Sequence, residues 1–400
     1  MAPAKMTLES LRDELPITKK VAYFQVGSHG PPPDSVLATV AEEMARQAHN
    51  YGIQSVGTEQ GAKEKKARED VAKFIGAKPG EVALTPNTTQ AMRQVSQAMH
   101  WSEGDEFMAT SLEHVSTVSM GSALEHDVGV TFTTVEADQG DAEFLESLKS
   151  ALSQRTKLLC ISHIASPDGR LLPVAEAAEL AHERGVPVVV DTAQSLGQFP
   201  VDVPALNCDY MVGSGHKWLL GPMGVGILWV APDQLPSFKP NSVPEREPWS
   251  MPDAPIAPLT AAHLSEKGSH NTAMIIGMGR AIEIMEEIGT NTIAAHTARL
   301  SAILRDAALG MEGVNIITPL ETGRSAGITT LTFDGYSPED LRGLVARIYS
   351  EHNAMVKFQW LTAPMHLDKI GMRISVSAIN NEDEVHGLVK AIKDGMSHRR

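Results

Sequence analysis

Residues 157–194, KLLCISHIASPDGRLLPVAEAAELAHERGVPVVVDTAQ, alternate between apolar runs and a stretch whose apolar residues recur at helical spacing. Pro173 suits the first turn of this helix and Gly185 suits its end. The runs on either side are uninterrupted, which is typical of strands covered on both faces of a parallel sheet. The strand–helix–strand order therefore predicts an α/β layer.

The pattern along the rest of the chain predicts two domains. The α/β alternation continues through DYMVGSG (209–215) and GVGILWV (224–230). The proline-dense stretch 232–260 excludes a continuous helix and predicts an ordered surface excursion that borders a site. Further on, strand-like runs surround a helix that begins with Ser337 as its cap. The predicted parts are an N-terminal segment (1–30) that packs on the domains, a large domain (31–290) and a small α+β domain (291–400).

The composition excludes several classes of function. The chain has 400 residues, 42% of them hydrophobic, and a formal net charge of -15 at pH 7. Such an acidic chain is a poor general nucleic-acid binder, because binding would require a basic surface. The first residues contain no apolar core of signal-peptide length, and no window is apolar enough to cross a bilayer. We therefore predict a cytoplasmic protein with no nucleic-acid and no membrane partner.

The two cysteines are too few for a disulfide framework, which fits a reducing compartment. Cys160 lies in an apolar run and Cys208 lies near the start of another. This placement favours packed, inert thiols over reactive ones. No metal site is predicted.

Lys217 lies in GSGHKWLLGP (213–222), directly after an apolar strand-like run. Most lysines are surface charges, but the flanking glycines here allow a sharp turn and a close approach to a ligand. A lysine amine whose pKa is lowered by burial is the usual nucleophile for an imine with an aldehyde. The aldehyde cofactor that enzymes bind in this way is pyridoxal phosphate.

Such a cofactor needs an acid for its pyridine nitrogen and a cradle for its phosphate. Asp191 ends a strand, at the edge where α/β sheets bind ligands, although it could equally cap the next turn. Thr88 and Thr89 in TPNTTQAM fall at a helix N-terminus, where free N–H groups attract phosphate. A plain helix cap fits these threonines as well. Ser214 and His216 are further possible donors to the same phosphate.

Together these motifs resemble the class V aminotransferase group of fold-type I pyridoxal-phosphate enzymes, which includes cysteine desulfurases, isopenicillin N epimerases and cysteine C–S lyases. The similar segments cover nearly the whole chain in the family's order: VAYFQVGSHGPPP, TPNTTQAM, SLEHVSTV, ISHIASPDGRLLPV, VVVDTAQSLG, GSGHKWLLGPMGVGILWV and MRISVSAINNEDEV. The resemblance implies an α/β large domain with a mostly parallel seven-stranded sheet flanked by helices, and a smaller α+β C-terminal domain. It also implies pyridoxal 5'-phosphate as the cofactor.

The resemblance assigns roles to residues of this chain. Lys217 would bind the cofactor covalently and move protons at the substrate's α-carbon, and Arg373 would bind the substrate carboxylate with its two-pronged guanidinium. Asp191 would pair with the pyridine nitrogen, and His114 would stack on the ring and could act as an acid. The other cofactor-binding residues would be Thr88, Thr89, Ser214 and His216 at the phosphate, Ala193 beneath the ring, and Gln194 and His163 near the ring oxygen. Ser269 would reach the phosphate of a neighbouring subunit, which implies a homodimer with shared active sites.

Two departures from the desulfurase pattern bear on the reaction. His163 occupies a position where many cysteine desulfurases have asparagine, and a histidine there is usual in the epimerase-like and C–S lyase branches. The region FQWLTAPMHLDKIGMR (358–373) contains no cysteine, whereas desulfurases that form a protein persulfide need one there. Persulfide formation on the chain is therefore not expected.

The sequence therefore predicts an enzyme with a small amino-acid substrate, and β-elimination by a cysteine or cystine C–S lyase is the favoured reaction. Epimerisation and transamination stay open as alternatives, and so does an inactive protein that keeps the fold. The proline-dense stretch and the loop around Trp360 are expected to shape the substrate pocket. His29 and His366 are either substrate contacts or solvated loop histidines.

Overall fold

A computed structural model of the chain describes residues 5–240, 259–266, 268–361 and 369–397. The helices within these residues are α1 Leu8–Asp13, α2 Asp34–His49, α3 Gln54–Phe74, α4 Thr88–Ala98, α5 Val115–Val128, α6 Asp141–Ala151, α7 Val174–His182, α8 Val203–Leu206, α9 Ala261–Ser265, α10 Thr272–Ile288, α11 Thr290–Leu309, α12 Pro338–His352 and α13 Glu382–Ser397. Short 3₁₀ helices cover Pro16–Lys19 and Pro79–Glu81. Among these helices, none has both the length and the apolar character that a bilayer crossing requires.

The strands follow in the same numbering. They are β1 Ala22–Tyr23, β2 Val82–Thr85, β3 Glu106–Thr110, β4 Thr131–Val135, β5 Thr156–Ser162, β6 Val188–Asp191, β7 Tyr210–Ser214, β8 Gly226–Val230, β9 Val314–Ile316, β10 Ile328–Phe333, β11 Ala354–Met355, β12 Lys357–Trp360 and β13 Ile370–Ser375. Most of the proline-dense stretch and His366 lie outside the described residues.

A seven-stranded sheet forms the centre of the fold, with the strand order β2-β8-β7-β6-β5-β3-β4. Only β8 runs antiparallel to its neighbours; the other adjacent pairs are parallel. The predicted α/β class, with a mostly parallel seven-stranded sheet flanked by helices, is confirmed.

Burial on both faces explains the uninterrupted valines of β6. Val188 and Val190 belong to the apolar cluster on one face of the sheet, whereas Val189 belongs to the cluster on the other face. Successive side chains of a strand point to opposite faces, so a strand in the middle of a covered sheet needs apolar residues at every position. Cys160 of β5 and Cys208 before β7 are both buried, as predicted.

A second sheet, in the order β12-β13-β10-β9, is antiparallel and has its own apolar cluster. Helix α12 covers it and begins as predicted, since the Ser337 hydroxyl accepts the Asp340 N–H at 3.1 Å. The N-terminal residues contact both cores: Leu11 packs with the central sheet, and Phe24 packs with the second sheet. The predicted domain limits stay a prediction.

Candidate active site

A cavity of about 530 Å³ lies between the carboxyl ends of the parallel strands and the second sheet. Strand β5 ends at Ser162, β6 at Asp191 and β7 at Ser214, and all three residues line the cavity. Arg373 of β13 lines it from the second sheet. The carboxyl ends of parallel strands meet at one edge, so side chains far apart in sequence converge there.

Lys217 lies in this cavity, in the loop that follows β7. Burial lowers the pKa of Lys217 to about 8; nearby Asp191 opposes this change, and Arg373 adds to it. A lysine with this pKa is neutral far more often at physiological pH than a solvated one, and the neutral amine is the nucleophilic form.

The backbone that carries Lys217 is fixed by the loop 27–30. The N–H of Gly30 donates to the carbonyl oxygen of His216 at 2.7 Å. A β-carbon at Gly30 would lie 1.9 Å from the Lys217 carbonyl oxygen, so only glycine permits this approach. His29 of the same loop lines the cavity, and its ring centroid is 5.8 Å from that of His216.

The N-terminus of α4 gives the cavity an anion-binding end. Asn87 is the cap of this helix and accepts a first-turn backbone N–H at 2.9 Å. Thr88 and Thr89 follow the cap and line the cavity, so the plain-cap interpretation of these threonines is wrong. Oγ1 of Thr88 is buried without a hydrogen-bond partner among the described residues. This hydroxyl and the N-terminus of α4 suit a phosphate.

Ser214 and His216 add polar atoms to the same cavity. Oγ of Ser214 lies 3.1 Å from Nδ1 of His216. Burial lowers the pKa of His216 to about 4, and the charges of Lys217 and His29 contribute. His216 is therefore neutral at pH 7 and offers one N–H donor.

Asp191 and Gln194 point polar groups into the cavity from the end of β6. Oδ1 of Asp191 accepts the N–H of Ala193 at 2.8 Å. Nε2 of Gln194 donates to the Gly27 carbonyl oxygen at 3.0 Å, and Oε1 accepts from Nε1 of Trp218 at 2.9 Å. Ala193 is small and also lines the cavity, so it leaves room for a flat ring.

Glu113 forms a buried carboxyl network below the cavity. Its Oε1 accepts hydrogen bonds from Oγ1 of Thr110 at 2.6 Å and from the Ser162 N–H at 2.7 Å. Burial raises the pKa of Glu113 to about 7; these hydrogen bonds oppose the change, and nearby Asp191 adds to it. Glu113 therefore titrates near neutral pH.

His114 projects into the cavity from the start of α5, where it is the N-cap residue. Its Nδ1 accepts the N–H of Ser116 at 3.2 Å, which leaves the ring proton on Nε2. Burial lowers the pKa of His114, and the positive charge of Lys217 contributes, so the ring is neutral at pH 7.

Arg373 is 2% exposed and is positioned by two serines. Its guanidinium donates to Oγ of Ser166 at 2.7 Å and to Oγ of Ser28 at 2.8 Å. Its Nε is buried without a partner among the described residues. Burial lowers the pKa of Arg373 only to about 10, so the side chain stays charged and suits a carboxylate ligand.

Two of the predicted site residues are not among the described residues that line the cavity. The ring of His163 packs edge-on against Phe199, with the centroids 5.9 Å apart, and His163 is not among the described lining residues. Burial lowers the pKa of His163 to about 4. Ser269 is exposed in the loop before α10 and does not line the described cavity of this single chain.

The structure adds residues that sequence reasoning missed. Ser28 and Ser166 hold Arg373, and Lys357 and Gln359 line the cavity from β12. A sequence signal for Lys357 and Gln359 was available, because residues two apart in a strand share a face. Their strand, β12, lies next to β13, which carries the predicted carboxylate-binding Arg373.

Comparison with known proteins identifies the family. The model of the family Aminotransferase class-V matches residues 23–388, and the chain belongs to this family. Pyridoxal 5'-phosphate is its cofactor. The buried, unpartnered hydroxyl of Thr88, the helix N-terminus beside it and the buried amine of Lys217 fit this cofactor.

Relatives named for different activities are about equally similar to this chain. A probable cysteine desulfurase of Methanothermobacter thermautotrophicus is 26% identical over 403 residues, covering 97% of this chain and 98% of the relative. The isopenicillin N epimerase of Amycolatopsis lactamdurans is 28% identical over 406 residues, covering 96% and 97%. A solved complex of a cystine C–S lyase with its product cysteine persulfide has a TM-score of 0.85 and 24% identity, covering 95% of this chain and 99% of that one. The chain is thus a pyridoxal-phosphate enzyme related to cysteine desulfurases.

Proposed function

We propose that this chain catalyses β-elimination from a cysteine-type amino acid and releases a thiol, without a persulfide on the protein. The observation that carries the proposal is the position of the amine and the thiols. Lys217 lines the cavity, whereas Cys160 and Cys208 are buried and are not among the described lining residues. Burial also raises the pKa of both thiols, so neither is a reactive nucleophile. A reaction that needs one amine and no protein thiol fits this arrangement.

The residues around the cavity have the following proposed roles toward the cofactor. Asp191 pairs with the pyridine nitrogen, Ala193 packs beneath the ring, and Gln194 donates a hydrogen bond from Nε2 to the ring oxygen. The phosphate is bound at the N-terminus of α4 by Thr88, Thr89, Ser214 and His216. Lys217 binds it covalently and Arg373 binds the α-carboxylate of the substrate. His163 is proposed to lie near the ring oxygen; its ring packs edge-on against Phe199, and its Nδ1 is buried without a partner among the described residues.

Bound pyridoxal 5'-phosphate supplies an electron sink beside the α-carbon of the substrate. Lys217 removes the α-proton, and that electron pair forms a double bond to the β-carbon while the C–S bond breaks. The proton that Lys217 has taken then passes to the departing sulfur, and neutral His114 donates a hydrogen bond from Nε2 to that sulfur, because its Nδ1 accepts from Ser116. Hydrolysis then consumes one water, so the conjugate yields a thiol, pyruvate and ammonium.

Epimerisation is the second candidate, favoured by the similarity to an isopenicillin N epimerase. In that reaction the α-proton returns on the opposite face and no bond at the β-carbon breaks. Transamination would instead move the proton to a carbon of the cofactor. Each outcome therefore leaves a different product.

A screen with three parallel readouts tests the proposal. Cysteine, cystine and cysteine conjugates are supplied in deuterated water, and thiol or sulfide, keto acid and deuterium at the α-carbon are measured. Thiol and pyruvate in equal amounts support β-elimination. Deuterium at the α-carbon without thiol would establish epimerisation, and a keto acid that keeps its sulfur would establish transamination. Lys217→Ala serves as the inactive control.

The proposed assembly is a homodimer in which Ser269 reaches the phosphate of the neighbouring site. The exposure of Ser269 in the single chain is consistent with a contact to a second copy. Sedimentation of the holoenzyme gives the oligomeric state, and Ser269→Ala should weaken cofactor affinity. Unchanged cofactor affinity in this variant would remove the shared-site role.

A further inference from the structure

Lys357 faces the same cavity as Arg373 from the neighbouring strand. The two residues are directly paired across β12 and β13. Residues opposed in this way share a face of the sheet and have β-carbons about 5 Å apart. Both line the cavity, and so does Gln359 two residues further along β12.

The amine of Lys357 has no acidic partner among the residues that the structure describes. It makes no hydrogen bond or ion pair with any residue in the part of the chain that the structure describes. Burial lowers the pKa of Lys357 to about 8, and the charges of Arg373 and Lys217 contribute. A half-buried cation that faces two other cations is costly to keep unless an anion joins it.

The charged residues that line the cavity differ in whether they have a partner. The charged lining residues are the cations Lys217, Lys357 and Arg373 and the acids Glu113 and Asp191. In the proposed function, Lys217 binds the cofactor, Asp191 pairs with its pyridine nitrogen, and Arg373 binds the α-carboxylate. Glu113 accepts hydrogen bonds from hydroxyl and N–H donors at 2.6–2.8 Å. Lys357 is the one charged group of this set without an assigned partner.

We propose that Lys357 is a specificity-determining residue that binds a second anionic group on the substrate, at the end of its side chain or leaving group. The inference rests on the proposed function: Lys357 is available for another anion only if Arg373 binds the α-carboxylate. Because Lys357 and Arg373 lie close together, a substrate that contacts both needs a short side chain between its α-carboxylate and its second anionic group. In a C–S lyase the matching class of substrate is a cysteine conjugate whose sulfur substituent carries a carboxylate.

The contacts of Arg373 favour the binding of a second anion by Lys357 over a contact from Lys357 to the α-carboxylate. The guanidinium of Arg373 is held in place by Ser28 and Ser166, so its orientation is fixed before substrate binds. A fixed two-pronged guanidinium satisfies both oxygens of one carboxylate by itself. Lys357 is a flexible point charge and can reach a group beyond that carboxylate.

A matched pair of ligands tests the proposal on the holoenzyme. S-carboxymethyl-L-cysteine and its neutral isostere S-carbamoylmethyl-L-cysteine are mixed rapidly with the protein, and dissociation constants are taken from the cofactor absorbance change before products accumulate. We expect the wild type to bind the anionic member about tenfold or more tightly than the neutral one. Lys357→Gln should lose this preference, and Lys357→Arg should retain it. Lys149→Gln, which removes an exposed charge on α6, should leave it unchanged.

The outcomes separate this inference from the proposed function. Equal affinity of the wild type for both ligands, or an equal loss of affinity for both in Lys357→Gln, would overturn the role of Lys357. If thiol is still released from both ligands in that case, the lyase stands. A Lys357-dependent preference without thiol release would support the anion site and refute the lyase. If neither ligand binds, the role of Lys357 fails, and the lyase is then decided by thiol or sulfide release from cysteine and cystine.

Discussion

Nε1 of Trp218 donates a hydrogen bond to Oε1 of Gln194 over 2.9 Å, and both side chains are buried. This contact decides which end of the Gln194 amide faces the cavity, because Oε1 is occupied and Nε2 is left to donate. Trp218 is therefore a positioning residue for the proposed hydrogen bond to the cofactor's ring oxygen.

Trp218→Phe should let the Gln194 amide turn over. The variant leaves a buried carbonyl oxygen unpaired, which costs about 1–3 kcal/mol in the free energy of unfolding. We expect weaker cofactor binding and a shifted visible absorbance maximum, measured by titration and spectroscopy. Trp229→Phe removes an indole that bonds to Glu81 at 3.1 Å and is the matched control. An unchanged spectrum in Trp218→Phe with a normal fold would contradict the positioning role.

The lowered pKa of Lys217 predicts the pH dependence of cofactor capture by the apo chain. The neutral amine reacts, and its fraction rises with pH through the pKa, so the rate should rise up to about pH 8 and then level off. A solvated lysine would give a midpoint more than two pH units higher, near 10.4. Stopped-flow absorbance measures the rate across this range. A midpoint above pH 10 would show that Lys217 is not desolvated in the free cavity.

The raised pKa of Glu113 predicts a loss of stability on raising the pH. The folded apo chain holds a proton on Glu113 up to about pH 7, whereas the unfolded chain releases it from about 4.5. Because the folded state binds more protons at Glu113 in this window, the contribution of Glu113 to the free energy of unfolding falls as the pH rises through it, by at most about 3 kcal/mol. Urea unfolding at pH 5 and pH 8 measures the change.

Glu113→Gln should remove this contribution, because the amide does not titrate, whereas His163 and His216, whose lowered pKa values act in the opposite direction, titrate in both proteins. Glu179→Gln, at an exposed position on α7, is the matched control and should behave like the wild type. If the wild type and Glu113→Gln change in stability by the same amount between pH 5 and pH 8, the predicted contribution of Glu113 is wrong.

Arg373→Leu should raise the KM for amino acids by about a hundredfold or more, because a buried charge-assisted pair is lost. Arg373→Lys should recover part of this loss, since it keeps the charge but lacks the two-pronged geometry. The visible absorbance of lysine-bound cofactor should persist in both variants. Cofactor loss with an unchanged KM would place Arg373 in the cofactor site instead.

Local sequence patterns predicted an α/β layer and one side of the site, whereas the seven-stranded sheet was implied by the family resemblance. Uninterrupted valines predicted a strand buried on both faces, and Asp191 falls at its carboxyl end. The turn before α4 predicted a helix N-terminus, although the sequence left the capping residue open and the structure assigns that role to Asn87. These features depend on neighbours within a few residues, so spacing alone determines them.

Orientation was harder to predict than position. The resemblance implies that His163 lies near the ring oxygen, and the edge-on contact of its ring with Phe199 depends on how the chain packs after β6. Ser269 is exposed in the single chain, and the partner expected for it is another subunit. No local pattern reports either relationship.

The sequence by itself determined which residue types lie at the ends of the central strands, because hydrophobic periodicity and capping are local. Only the tertiary structure decided that Ser166 and Ser28 hold Arg373 and that Lys357 faces the same cavity. These contacts join two sheets, and cross-strand register and the packing between the sheets set their distances. The physical reason is that a side chain's partner across a cavity depends on long-range packing, to which its own neighbours in sequence contribute nothing.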